Sequence, residues 1–267
     1  MAKVGEPFDI SYVFEYLVKL LPTLKITLLI VVSSIVIGLG VGFIVALPQL
    51  YKIPVLRRFS QVYLSFFRGT PVLIQLFLFY YGLPEILKLV HVDVVKVPAL
   101  YFVILTYALH SGAYMAEMIR AAVGAVDRGQ VEAAYAVGMT GFQAFTRIVL
   151  PQAMAISVPV FANLVIANLK DTSLAFSLGI MELTGKSQTL AVMSRHFVET
   201  YISLAIIYFM ISFGLEKLFH LIERKLLKHE SRIVSEEKET RVKKAKTRRF
   251  AVGLGFTRGG GGRENEA

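Results

Sequence analysis

Charge disappears from this chain in long blocks. Ile26 to Tyr51, Val97 to Ala116, Ile148 to Leu169 and Thr200 to Leu215 contain no Asp, Glu, Lys or Arg. A helix needs roughly 20 apolar residues to cross the hydrocarbon core of a bilayer. Three of these windows meet that length as they stand. The fourth is shorter, but Glu199, Glu216 and Lys217 flank it, and long charged side chains reach the interface from inside. A fifth window, Gly69 to Pro84, is rich in Leu, Phe and Tyr. Its helix is expected to begin a turn earlier, near Val62, with Arg68 at the interface. The pattern therefore predicts an all-α chain with five spans. Thr172 to Met181 is also apolar, but as a helix it would rise only about 15 Å. That is too little to cross, so it reads as an interfacial or re-entrant element.

Composition strengthens this picture and removes several kinds of chemistry. The 267 residues are 55% hydrophobic, with a mean hydropathy of +0.60. There is no Cys, hence no disulfide framework, thiolate-bound metal or thiol nucleophile. Five His stand at 91, 110, 196, 220 and 229, never in the HExxH spacing of a zinc helix, so no metal site is expected. The net charge of +10 is uneven: from Lys217 onward there are 14 Lys/Arg against 7 Asp/Glu. Such a tail orients a membrane protein before it suggests a nucleic-acid footprint.

Basic residues in the short loops set the orientation. Lys52, Arg57 and Arg58 follow the first window. Arg120, Arg128 and Arg147 follow the third span. Lys217, Arg224, Lys225 and Lys228 follow the last. The alternate loops, 85 to 96 and 170 to 196, are less basic. The N-terminus is expected outside and the C-terminus inside, and an odd number of spans agrees with this. The first apolar run is too long for the core of a signal peptide, so it reads as an uncleaved span. Residues 1–23 form an N-terminal segment before the membrane part, 24–228. Residues 229–267 are charged and then Gly-rich, a composition that cannot build a packed core.

One cytoplasmic interruption is polar and compact: EAAYAVGMTGFQAFTRIVLP, residues 132 to 151. Asp127 is a candidate helix cap, with Gln130 completing a capping-box pair. Gly138 stands where a left-handed residue would end that helix. Thr140 and Gln143 repeat the capping-box pattern for a second short helix. Leu150-Pro151 would end it, and Pro suits the start of the next span. The spacing leaves two readings open: an amphipathic linker lying on the membrane, or a handle whose small apolar surface fits a groove on another protein.

EAA, three residues, Gly138, nine residues and then Ile148-x-Leu150-Pro151 resembles the EAA loop of ATP-binding-cassette (ABC) importer permeases. SGAYMAEMIRAAVGAVDRGQ before it, and FFRGTPVLIQLFLFYYG earlier, resemble the polar amino-acid uptake subfamily. The resemblance runs from about residue 12 to 228. It implies an ABC type I importer permease fold in a bacterial or archaeal plasma membrane, with a coupling loop over 127–151. Glu132, Ala133, Ala134, Gly138, Ile148, Leu150 and Pro151 would couple it to an ATPase. It implies two cytoplasmic ATP-binding subunits carrying the ATP and Mg, a second permease copy or paralogue, and an extracytoplasmic amino-acid-binding protein. The chain itself contains no GxxxxGK[ST] phosphate loop, so no cofactor and no catalytic residue is expected on it.

The route for a solute is sought among polar groups inside the spans, since these are costly and usually face the bundle interior. Asn163 and Asn168 lie in the fourth span, which runs into Lys170, Asp171 and Thr172. Helical spacing puts Asn163 with Lys170 on one face and Asn168 with Thr172 on another. These four and His110 are the candidate path residues, against the plainer reading of hydrogen bonds between helices. Pro159 is expected to kink this span. Arg68, Gly69, Thr70 and Pro71 should interrupt the second span. Glu117 and Arg120, three apart, should pair as a structural clamp. Gly38 and Gly42 form GxxxG, which either permits close helix approach or is merely tolerated. A stand-alone secondary carrier or channel is the alternative, but the acidic relay or inverted repeats it would favour are not seen. A membrane enzyme would need a nucleophile-base-acid constellation, and none stands out. The resemblance implies a polar amino acid as the solute; with no acid inside the fourth span, a cationic one is disfavoured, which leaves cystine or a neutral polar amino acid.

Overall fold

A computed structural model describes residues 7–227. The expected tail, 229–267, lies outside the described residues. All regular elements among them are helical. Among the described residues, four helices are long and apolar enough to cross a membrane, or five if one sharply bent pair is a single crossing.

The first crossing carries a helical extension. α1 (Ile10–Leu20) is capped by the Asp9 side chain and joins α2 (Leu24–Leu50) through a 3-10 turn. The segment 1–23 thus contains a helix that the apolar windows did not reveal. α3 (Pro54–Gly69) and α4 (Val72–Phe77) follow. α4 continues through a wide π turn, Leu78–Gly82, into α5 (Leu83–Lys88). The axes on either side of Thr70-Pro71 differ by 111°. The expected helix start near Val62 is corrected: Val62 lies within α3, which begins at Pro54, before the bend. Arg68-Gly69-Thr70-Pro71 does interrupt the helix, because Pro71 has no N–H and pushes Thr70 to extended backbone.

α6 (Ala99–Gly124) is the central helix. It packs along α2 with both chains running in the same direction: Gly38 faces Ala108 and Gly112, and Gly42 faces Met115 and Ala116. The GxxxG reading is thereby decided in favour of close approach. After α7 (Arg128–Ala136) and α8 (Gly141–Ala144), a second π turn, Phe145–Val149, leads without a break into α9 (Leu150–Asp171). Leu150-Pro151 does not end a helix, contrary to expectation. The widened turn leaves room for the Pro151 ring, which would otherwise press on the preceding turn. Pro159 lies inside α9, which continues through it.

α9 runs antiparallel to α6. Ala153 packs near Ala122 and Val126, while Asn168 reaches Ser111. A 3-10 segment, Thr172–Leu178, extends it, and α10 (Leu183–Ser194) follows. The 3-10 segment falls in the apolar stretch Thr172 to Met181, which is too short to cross; α10, in the rest of the 170 to 196 connection, was not expected. Glu182 caps α10 by accepting from the Gly185 N–H at 2.8 Å, with the Tyr208 hydroxyl at 3.4 Å. Burial raises the Glu182 carboxyl above the usual carboxylate range, and the Thr184 and Gly185 amides oppose that rise.

α11 (Phe197–Leu227) returns. Its Ser203 bonds to the Val13 carbonyl, and Tyr208 and Ile211 pack with Val31, Val165 and Leu169. Glu199 does not reach out to an interface. It is buried, accepts from the Asp9 N–H at 2.8 Å and lies 3.1 Å from His196 Nδ1. The direction of the chain thus alternates from span to span. The 125–149 connection lies at the same end as the C-terminal end of α2, and α1 begins at the other.

Candidate functional site

Two constellations stand out, one at the end of the bundle and one within it. At the end, Asp127 caps α7 by accepting from the Gly129 N–H at 2.9 Å. The expected reciprocal bond from Gln130 is not made. Gln130 instead accepts from Gln152 Nε2 at 2.7 Å. The underside of α7 is apolar: Val131 packs onto Ala122, Val126, Val149 and Ala153, and Ala134 is buried. Glu132 and Ala133 face away from the bundle.

Gly138 closes the helix with φ +82°. Its N–H bonds to the Tyr135 carbonyl and that of Met139 to the Ala134 carbonyl, both at 3.0 Å. This is the paired closure that a left-handed residue permits. Thr140 and Gln143 then form the full capping box. Tyr135, Val137 and Phe142 are left 54%, 75% and 77% exposed. A cleft of about 660 Å³ lies among Arg128, Glu132, Tyr135, Phe142 and Phe145. Of the other expected residues, Ile148 is half-buried in the π turn, while Leu150 and Pro151 are exposed.

Within the bundle, polar groups bind the bend and α9 to α6. Gln75, fully buried, donates Nε2 to the Phe67 and Thr70 carbonyls, both at 2.9 Å, and to Thr70 Oγ1 at 2.8 Å. Its Oε1 faces His110 Nδ1 at 3.0 Å. Arg68 lies 3.9 Å from Glu117 Oε2 and stacks its charge over the Tyr114 ring. Arg120 Nε donates to the same Glu117 oxygen at 3.1 Å. The expected Glu117–Arg120 clamp is therefore a triad that also holds the end of α3. Gln75 escaped the sequence reading, although a lone amide in VLIQLFLF was the available signal.

Asn168 is 4% exposed and donates Nδ2 to Ser111 Oγ at 2.6 Å. Its buried Oδ1 has no hydrogen-bond partner among the described residues. Thr172 is buried and bonds to its own helix at the Leu169 carbonyl. Asn163 and Lys170 are exposed. The division into two faces holds: Asn168 joins α6 near His110, while Asn163 and Lys170 turn elsewhere.

Residues 38–228 match the family described as "Binding-protein-dependent transport system inner membrane component". The chain belongs to that family. Among curated members, it is 44% identical to the L-cystine transport system permease protein TcyL of Bacillus subtilis, over 85% of this chain and 95% of TcyL. It is 42% identical to the probable amino-acid permease protein YxeN of the same organism, over 80% of this chain and 96% of that one. Among solved structures it resembles one titled "Crystal structure of an amino acid ABC transporter with histidines". The TM-score is 0.73 and the identity 31%, covering 82% of this chain and all of the other. The protein is accordingly a multi-pass permease subunit of an ABC importer. Family members of this kind work with an ATP-binding partner and a substrate-binding protein, so the sequence resemblance and the family agree.

Proposed function

We propose that α7 is the element through which this permease is driven, and that the bundle above it carries a polar amino acid, with cystine the first choice. The observation that carries the reading is the seating of α7. Its apolar underside rests on the ends of α6 and α9, while Glu132, Ala133, Tyr135 and Val137 face outward. An exposed apolar patch rimmed by polar groups marks an interaction surface. The basic loops support a cytoplasmic side for this end, the side on which the ATP-binding subunits would dock. Two such subunits, two permease chains and an external binding protein make the working assembly. Movement of α7 shifts the spans between two packings, as a rigid-body change. ATP must bind the two states differently, or nothing is shifted. The names of TcyL and YxeN support an amino-acid solute.

The test is reconstitution in liposomes with the cognate ATPase and binding protein, following uptake of labelled L-cystine and of neutral polar amino acids. Uptake that needs ATP inside and binding protein outside is expected. Equal uptake without nucleotide would instead favour a stand-alone carrier.

Asn168 gives a sharper result. As an inter-helix hydrogen bond alone it would contribute about 0.6 kcal/mol, and its loss would change transport less than about threefold. As a path residue with a free acceptor it does more. Asn168→Leu is expected to lower uptake at least roughly tenfold while the complex assembles normally. Near-normal uptake would remove Asn168 from the path.

A further inference from the structure

One amide nitrogen of Gln152 makes two hydrogen bonds. Nε2 donates to the Ile148 carbonyl at 3.0 Å and to Gln130 Oε1 at 2.7 Å. The first bond is local: Ile148 lies one turn back on the same helix. It follows a π turn in which the Leu150 N–H reaches back to the Phe145 carbonyl, five residues earlier. A carbonyl only accepts, so the edge of Gln152 facing Ile148 is its NH₂. Gln130 must then present its oxygen, and the chemistry fixes both amides.

The second bond spans 22 residues of sequence and joins α7 directly to the first turn of α9. Beside it lies apolar packing, with Val131 of α7 in one cluster with Val149 of the π turn and Ala153 of α9. Apolar contact is non-directional, whereas a hydrogen bond holds distance and angle. A π turn inside a long helix is rare and is frequently found at functional positions. Here it sits between α7 and the helix that bears Asn168.

We propose that Gln152 and Gln130 are positioning residues: a latch that makes α9 follow α7 when the ATPase moves it. This rests on the reading of α7 as the docking element. Without the latch, α7 still docks and ATP is still hydrolysed, but α9 lags.

The test uses the assembled complex of permease, ATPase and binding protein. The chain has no native Cys, so Val160→Cys on α9, 47% exposed, reports its environment by the rate of maleimide labelling. That rate is compared without nucleotide and with ATP plus vanadate. In the reporter alone, nucleotide changes the rate. Gln130→Leu and Gln152→Leu are each expected to shrink that change about fivefold, the scale of one modest hydrogen bond. The double variant should be no worse than Gln152→Leu alone, since the bond between the two side chains is cut in each and only Gln152→Leu also loses the bond to Ile148. Basal ATP hydrolysis and co-purification stay as before. Gln130→Glu keeps an acceptor for Gln152 and should restore the response. Gln130 is exposed, so its variants do not endanger the fold. A full nucleotide response in Gln130→Leu overturns the latch alone. Equal loss in Gln130→Glu overturns it too, since the acceptor would then be irrelevant. No response in the reporter chain itself overturns the docking reading, and the latch with it.

Discussion

Gly42→Leu is expected to yield almost no folded permease in the membrane, while Gly40→Leu, two residues away, leaves the yield unchanged. A Cβ at Gly42 would lie 2.8 Å from Met115 Cβ and 3.0 Å from both the Ala116 nitrogen and the Gly112 oxygen. Two of those three atoms are backbone, so no rotamer change relieves them, and α2 must move off α6. Overpacking a tight interface costs about 1–3 kcal/mol or more. Here it also opens the contact on which the central helix depends, because small residues are what let helices approach in lipid. A Cβ at Gly40 meets nothing within 4 Å, and Leu is the better helix former. Fluorescence-detected size exclusion of tagged chains measures both. Normal yield for Gly42→Leu would mean that α2 and α6 do not pack as described.

Gly138→Val is expected to abolish ATP-driven uptake, by at least roughly tenfold, without loss of the membrane bundle. The position has φ +82° and open space around a Cβ, so the cost is one of backbone conformation. It amounts to about 1–2 kcal/mol for an ordinary residue, and a β-branched one is worse. The chain escapes by unwinding the paired closure at Tyr135 and Ala134, which turns α7 away from its seat. Gly138→Asn, a residue that tolerates the left-handed region, should keep most of the uptake. Uptake assays beside co-purification of the ATPase separate the outcomes. If Val is as good as Gly, the angle between α7 and α8 is unimportant for coupling.

Much of this was legible because its causes are local. Charge-free blocks locate α2, α6, α9 and α11, since burial in lipid is a property of the run itself. Capping at Asp127, Thr140 and Gly138 could be read because a cap depends on three or four neighbouring residues. What stayed hidden depends on partners far away in sequence. Glu199 looked like an interfacial acid, but its partner is the Asp9 amide, 190 residues earlier. Gln130 looked like the second half of a capping box, but Gln152 offers it a better donor. α10 was missed because LTGKSQTLAVMS has neither a long apolar run nor a clear amphipathic stripe; it is held instead by Glu182 at its start. The 111° bend was foreseen as an interruption at Pro71 but not as a turn of direction. Its angle is set by Gln75, Arg68 and their contacts on α6, which no local pattern encodes.

The absence of native Cys permits the most direct test of how the permease is driven. Ala133→Cys, exposed on the outer face of α7, is labelled with a benzophenone maleimide, and the assembled complex is irradiated with and without ATP. The predicted product is a covalent adduct between this chain and the ATP-binding subunit, its yield changed by ATP. Adducts confined to lipid or to the external binding protein would contradict the account.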